Sequence, residues 1–324
     1  VYTKKKEPVR VPFEPKKINS LLGTDISKED MLEYLSRVEL AYDEATNEIV
    51  APTFRHDIFR TADIAEEVAR FYGYDNIPTT LPSGEATTGK LPFKLRIEEV
   101  ARDVAEYCGF SQGYCYSFES PKVFDKLQIP AEDELRKAIT ISNPLGEDFS
   151  IMRTISLNGM LTSLATNYNR RNKNVRLYEL GNVYLPKALP LTELPDERMM
   201  FTLGMYGDGD FFDMKGVVEE FFDQIGMHKK TEYDPKAGKT FLHPGRQALI
   251  SYEGEVMGYL GEVHPAVADT YGIGTRAYVA VLDILNVVKH ASFERKYEGI
   301  AKFPAVNRDI SMVVPKEIMV GQIE

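Results

Sequence analysis

Four carboxylates stand close together in one short stretch of this 324-residue chain: Asp57, Asp63, Glu66 and Glu67. The last three follow an i, i+3, i+4 spacing, so a helix beginning near Asp63 presents them as neighbours, with Asp57 just before it. Clustered hard oxygen donors suit a cation such as Mg2+, which takes few carboxylates and keeps several waters. The same residues also read as a helix start. Asp63-x-x-Glu66 resembles a capping box, and acids in a first turn are stabilised by the helix dipole. Spacing leaves both readings open, and they are compatible, because a cap does not consume every carboxylate oxygen.

No other reaction centre stands out. There is no phosphate-binding glycine loop, no dinucleotide fingerprint and no Gly-x-Ser-x-Gly elbow. The histidines, His56, His228, His243, His264 and His290, show no metal-ligand spacing, and His243-Pro244 and His264-Pro265 read as turn markers. Cys108 and Cys115 match neither a disulfide framework nor a zinc pattern. A basic run, Arg170, Arg171, Lys173 and Arg176, could meet RNA phosphate or could simply be a solvated loop. With 39 Lys+Arg against 49 Asp+Glu, the net charge of -10 weighs against a dedicated nucleic-acid binder.

The elements that must carry these residues are those of an α+β protein. In the first 80 residues the pattern gives a helix ending at Gly23 and a second started by Ser27-Lys-Glu-Asp30. A strand at Glu48–Pro52 and a helix from Ile64 to Tyr72 closed by Gly73 complete it. Residues 79–92, rich in Thr, Gly and Pro, read as a linker. Beyond it, Ile97, Val100, Ala101, Val104, Ala105 and Cys108 mark an amphipathic helix ended by Gly109. Strands are expected at Gln112–Phe118, Ile139–Ser142, Val175–Leu185, Arg198–Tyr206 and Tyr278–Leu282. Ala248–Tyr252 and Val256–Val263 read as a hairpin. One helix carries Met160 to Tyr168; another, capped by Asp213, buries Val217, Val218, Phe221 and Phe222 and stops at Gly226. Short strand connections favour an antiparallel sheet with helices on it. Arg308–Val314 reads as the first strand of a further domain. No stretch approaches the ~18 apolar residues of a membrane span. Lys4, Lys5 and Lys6 precede no apolar run, so no secretory signal is read and cytosolic residence is expected. The absent initiator Met suggests a piece of a longer protein.

Taken in order, these motifs resemble the β subunit family of bacterial phenylalanine–tRNA ligases. The resemblance runs through Arg55-x-Asp57 and Asp63–Pro78, Asn143–Thr154, Asn167-x-x-Arg170 and Leu177–Gly181. It continues through Asp213–Gly216, His243–Arg246, Gly261–Pro265 and Phe303–Ile310. It implies a winged-helix-like domain over 1–78, a linker over 79–92, a class II synthetase-like domain over 93–290, and over 295–324 the start of a ferredoxin-like anticodon-binding domain. It further implies an Mg2+ site on Asp57, Asp63, Glu66 and Glu67, where an α subunit docks in a heterotetramer of two α and two β chains. The whole enzyme would attach phenylalanine to its tRNA using ATP. The class II-like domain is expected to be non-catalytic. Leu185-Pro186 stands where an ATP-binding arginine belongs, and the glycine-rich, arginine-containing motif is missing around Gly258-Tyr-Leu-Gly261. Two rival readings are a stand-alone Mg2+-dependent hydrolase on the four carboxylates, and a nucleic-acid-binding module using the basic run.

Overall fold

The computed structural model describes residues 5–227, 230–297, 299–318, 320 and 323; Lys4 and His228 lie outside them. The chain divides into two compact units between Gly89 and Lys90.

In the first unit, β1 (Val9–Pro12) is followed by α1 (Pro15–Leu22) and α2 (Lys28–Ser36), then β2 (Ala41–Asp43), β3 (Glu48–Ala51) and α3 (Thr61–Tyr72). The strands form an antiparallel sheet in the order β1-β3-β2. Pro15 opens α1, where its missing N–H costs nothing, and Gly23 closes it in the left-handed region. Ser27 caps α2 by accepting from the Asp30 amide. Val11, Phe13, Ile18, Met31, Leu35, Ile49, Ile64 and Val68 are fully or nearly fully buried and make one core beneath α3.

The second unit opens with α4 (Phe93–Tyr107), β4 (Ser111–Gln112), β5 (Phe118–Glu119), α5 (Val123–Lys126), β6 (Ile151–Met152) and α6 (Leu157–Asn169). It continues with β7 (Val175–Leu185), β8 (Asp196–Tyr206), α7 (Phe211–Gln224), β9 (Thr231–Asp234), β10 (Leu242–Tyr252) and β11 (Glu255–Val263). It closes with α8 (Pro265–Tyr271), β12 (Ala277–Asp283) and α9 (Ile284–His290). Seven strands form one sheet, ordered β4-β7-β8-β12-β11-β10-β9. Period-two alternation divides its two faces. On β12, Tyr278, Ala280 and Leu282 join Phe201, Leu203 and Met205 of β8 in a core shared with α4, α7 and α9. Ala277 and Val279 point the other way, onto α5, α6 and α8.

Several sequence expectations are corrected. The sheet is mixed, because β4 runs parallel to β7 while the other pairs are antiparallel. Gln112–Phe118 is not one strand. After Gln112 the Gly113 amide still reaches the Tyr178 carbonyl, but the Cys115 amide turns to the Glu179 carboxylate, and Tyr114 and Tyr116 face solvent. Ile139–Ser142 shrinks to a single bridge, Thr140 to Ile151. The cap of α7 is Asp210; Asp213 sits three residues in and reaches back to the Asp210 amide. Arg308–Val314 forms no strand, since no other described segment pairs with it. The β10–β11 hairpin turns where expected, with Glu253 and Gly254 both at positive φ, as a type I′ turn requires. Among the described residues no helix is long and apolar enough to cross a membrane.

Candidate functional site

α3 begins two residues earlier than the carboxylate spacing suggested. Asp63 is therefore not the cap but the third helical residue, and its Oδ2 accepts from the Phe59 and Arg60 amides at 3.0 Å each. The capping role holds in a shifted register. Burial pushes the Asp63 pKa up, but the Phe59 amide and Arg60 outweigh it and leave it below the usual carboxylate range.

The other acids meet arginines. Glu67, buried on the inner face of α3, accepts from Arg55 at 2.9 Å and from Arg70 at 2.5 Å. The Arg55 guanidinium also grips Asp57 at 2.6 Å, so one cation joins Asp57 to Glu67. That hydrogen bond holds the exposed Asp57 carboxyl down to about 2. Glu66 lies exposed on the outer side of the helix with no side-chain partner among the described residues. The donor chemistry of this quartet suits a hard cation. The arrangement in this chain by itself does not bring it to a point: among the described residues no three His, Cys, Asp or Glu side chains are arranged to hold a metal ion. Sequence reasoning missed the two arginines, although Arg55-x-Asp57 and the i, i+3 pair Glu67–Arg70 signal them.

In the second unit two of the quoted motifs converge on a buried ion pair. Arg153, from the Asn143–Thr154 motif, is 2% exposed and donates to Glu179 of the Leu177–Gly181 motif at 3.0 Å and to the Asn182 carbonyl at 2.7 Å. Gly181 makes room for it, since a Cβ there would stand 2.2 Å from Arg153 Nη2. Beside the pair, Ser156 and Thr202 share a buried 2.6 Å hydrogen bond. Charge and hydroxyls are thus used internally, on a face of the sheet covered by α6. Glu119 lies close by. Asn158 donates to its Oε1 at 2.8 Å, Oε2 has no partner among the described residues, and burial pushes its pKa up to about 7. No spacing in the sequence signals this residue.

His264 stands at the turn into α8 as read, its Nδ1 accepting from the Ala266 amide at 3.2 Å, whereas His243-Pro244 lies within β10 and marks no turn, the His243 Nδ1 accepting from the Gly245 amide at 3.1 Å. Both cysteines are free, and burial pushes the Cys115 thiol up to about 11, far from a nucleophilic thiolate. Within the basic run, Arg170, Arg171 and Lys173 are exposed just after α6. Arg176 instead donates to the Cys108 carbonyl and lies 3.4 Å from Asp208.

Two family profiles match the chain: "tRNA synthetase B5 domain" over residues 11–74 and "Phenylalanyl tRNA synthetase beta chain CLM domain" over residues 77–284. Among curated relatives, the phenylalanine–tRNA ligase beta subunit of Clostridium acetobutylicum is 44% identical over all of this chain and 41% of its own length. That of Clostridium tetani is 42% identical over 95% of this chain and 39% of its own length. That of Moorella thermoacetica is 34% identical over 97% and 40%. The chain spans about two fifths of the length of these relatives. With the beta-chain profile covering most of its residues, the chain belongs to the phenylalanyl-tRNA synthetase beta chain family.

Proposed function

We propose that this chain is a non-catalytic, α-subunit-docking part of a phenylalanine–tRNA ligase that works in the cytoplasm. The whole enzyme would use ATP to attach phenylalanine to its tRNA, as a heterotetramer of two α and two β chains. The observation that carries this reading is the ordered set of family motifs along the chain, matched over 77–284 by the beta-chain profile. The buried chemistry agrees with it. Arg153 pairs with Glu179 and Ser156 with Thr202, so these buried groups offer neither an activated nucleophile nor a free guanidinium for a triphosphate. A stand-alone hydrolase lacks support for the same reason. The best-placed acids of the quartet are already neutralised by Arg55 and Arg70.

In this reading residues 1–78 form the winged-helix-like domain, 79–92 the linker and 93–290 the class II-like domain. Residues 295–324 begin a ferredoxin-like anticodon-binding domain. Asp57, Asp63, Glu66 and Glu67 would supply Mg2+ ligands at the α-subunit boundary, an assignment supported by the retained motif and by donor type. It requires Arg55 to release Asp57. Arg170, Arg171 and Lys173, the outer part of the run that ends at Arg176, would offer weak contact to tRNA phosphate.

Mixing the chain with the α subunit and measuring association by analytical ultracentrifugation tests the docking role. A complex at micromolar concentration is expected; its absence would overturn the role. Repeating the titration with and without Mg2+ and with Asp57→Asn tests the metal assignment. Affinity that ignores both would remove it.

A further inference from the structure

Glu119, whose carboxyl is only half satisfied, stands in the wall of a cavity of about 430 Å³ beside α6. Asn158, Thr162 and Ser163 of α6 give that cavity polar lining. Tyr114, Tyr116, Phe118 and Phe149 give it rings.

The charged lining is acidic by one when Glu119 is ionised. Glu119 and Asp148 are its acids and Lys126 its base. Lys126 does not answer Glu119: its Nζ rests 5.8 Å over the Tyr271 ring, and Glu119 Oε2 has no hydrogen-bond partner among the described residues. Behind the wall, Arg153 is bonded to Glu179 Oε1 and to the Asn182 carbonyl. Its charge is felt at Glu119, but that of Glu179 opposes it. One guanidinium among two buried carboxylates leaves a negative charge over when both are ionised. A buried carboxyl oxygen without a partner calls for an explanation.

The rings beside it call for one too. Tyr114 and Tyr116 are 88% and 74% exposed, and Tyr116 meets Phe149 edge-on at 5.9 Å between ring centres. Large rings left in water around one cavity mark a binding surface. Ring faces attract organic cations, because the π-electrons present negative charge. The hydroxyls of Ser120, Thr162 and Ser163 stand in the same lining, where they can accept from N–H groups.

We propose that this cavity binds a small aliphatic ammonium ion, its charge set against Glu119 and its carbon chain laid among Tyr116, Phe118 and Phe149. Glu119 Oε2 is screened from water, so the ammonium acts on it across the wall, where opposite charge carries over several ångströms with little screening. A bare Mg2+ or Ca2+ suits the site less, because rings stand where such ions need oxygen ligands. The volume is that of an ordinary small-molecule site.

The test titrates the whole 324-residue chain with n-butylammonium chloride at pH 8, above the pKa of about 7 to which burial lifts Glu119. Ligand-observed NMR follows binding, and 1-butanol serves as the neutral molecule of the same shape. Saturable binding of the ammonium is expected, at least tenfold tighter than that of the alcohol. Glu119→Gln, which keeps the shape of the side chain, should weaken it by about tenfold, and Tyr116→Ala, at an exposed position, by about threefold. Neither change should alter the circular dichroism. No saturable binding of butylammonium below about 20 mM, equal binding of butanol, or binding that either variant leaves unchanged overturns the proposal.

Discussion

Replacing Glu119 by glutamine should stabilise the chain in a manner that depends on pH. Glu119 is 4% exposed, and burial is the main cause that lifts its pKa from 4.5 to about 7. Glu179 pushes the same way, while Asn158 and Arg153 oppose. Below pH 4.5 the folded and unfolded chains both carry the proton. Between 4.5 and about 7 the unfolded chain gives it up first, so the folded state loses stability as pH rises, and above about 7 the loss is complete. At about 1.4 kcal/mol per pH unit this amounts to about 3 kcal/mol across the window.

Glutamine does not titrate. Its Oε1 can keep the Asn158 hydrogen bond, while its Nε2 would stand where Oε2 has no partner and bring a fixed cost. That cost is the same at every pH. The quantity to measure is therefore the Gln-minus-Glu stability difference at pH 8 less the same difference at pH 4.5, from urea unfolding with the slope unchanged. It should favour glutamine at pH 8 by about 3 kcal/mol. A change below about 0.5 kcal/mol, or one of opposite sign, would refute the claim that Glu119 is held protonated by burial.

Arg55→Ala should loosen α3 by about 1–3 kcal/mol, because it strips a partner from buried Glu67, whereas Arg70→Ala, on the exposed side of the same acid, should cost less. Hydrogen exchange of the α3 amides measures both, and equal effects would show that Arg55 is not the principal partner. Gly258→Ala should be among the costliest single changes in the sheet. Its Cβ would lie 2.0 Å from the Val281 carbonyl oxygen, a backbone atom that cannot step aside, so a loss of more than about 3 kcal/mol in urea unfolding is expected. Gly216→Ala, with nothing within 4 Å of the added carbon, is the control and should be neutral or slightly stabilising in its helix.

Where the chain was legible, one physical rule acted alone. The amphipathic stripe from Ile97 to Cys108 needs only helical periodicity, and the β10–β11 turn needs only Glu253-Gly254 at positive φ. Where two rules competed, the reading slipped. Aromatic alternation through Gln112–Phe118 looked like strand, but the Cys115 amide found the Glu179 carboxylate, a partner 64 residues away that no local pattern reveals. The cap of α7 slipped by three residues because Asp210 and Asp213 are chemically equivalent candidates, and the structure uses both, one at each end of the capping box.

The acidic quartet shows the limit most clearly. Spacing on α3 does set three carboxylates on one helix, but spacing says nothing of which cation answers them. A buried carboxylate such as Glu67 must be paired on folding. The nearest pairing groups are those the chain carries itself, Arg55 two residues before Asp57 and Arg70 three residues after Glu67. These guanidiniums need no external ion to satisfy Glu67, so the unit can fold before any metal or partner arrives. What remains open to an incoming group is Glu66, exposed and without a side-chain partner among the described residues, and Asp57, whose ion pair among them is the exchangeable one to Arg55. If a second chain docks here, its effect should appear first at Arg55. Exchange of Asp57 for a new partner would leave Glu67 paired, so the boundary could be remade without unfolding the helix that carries it.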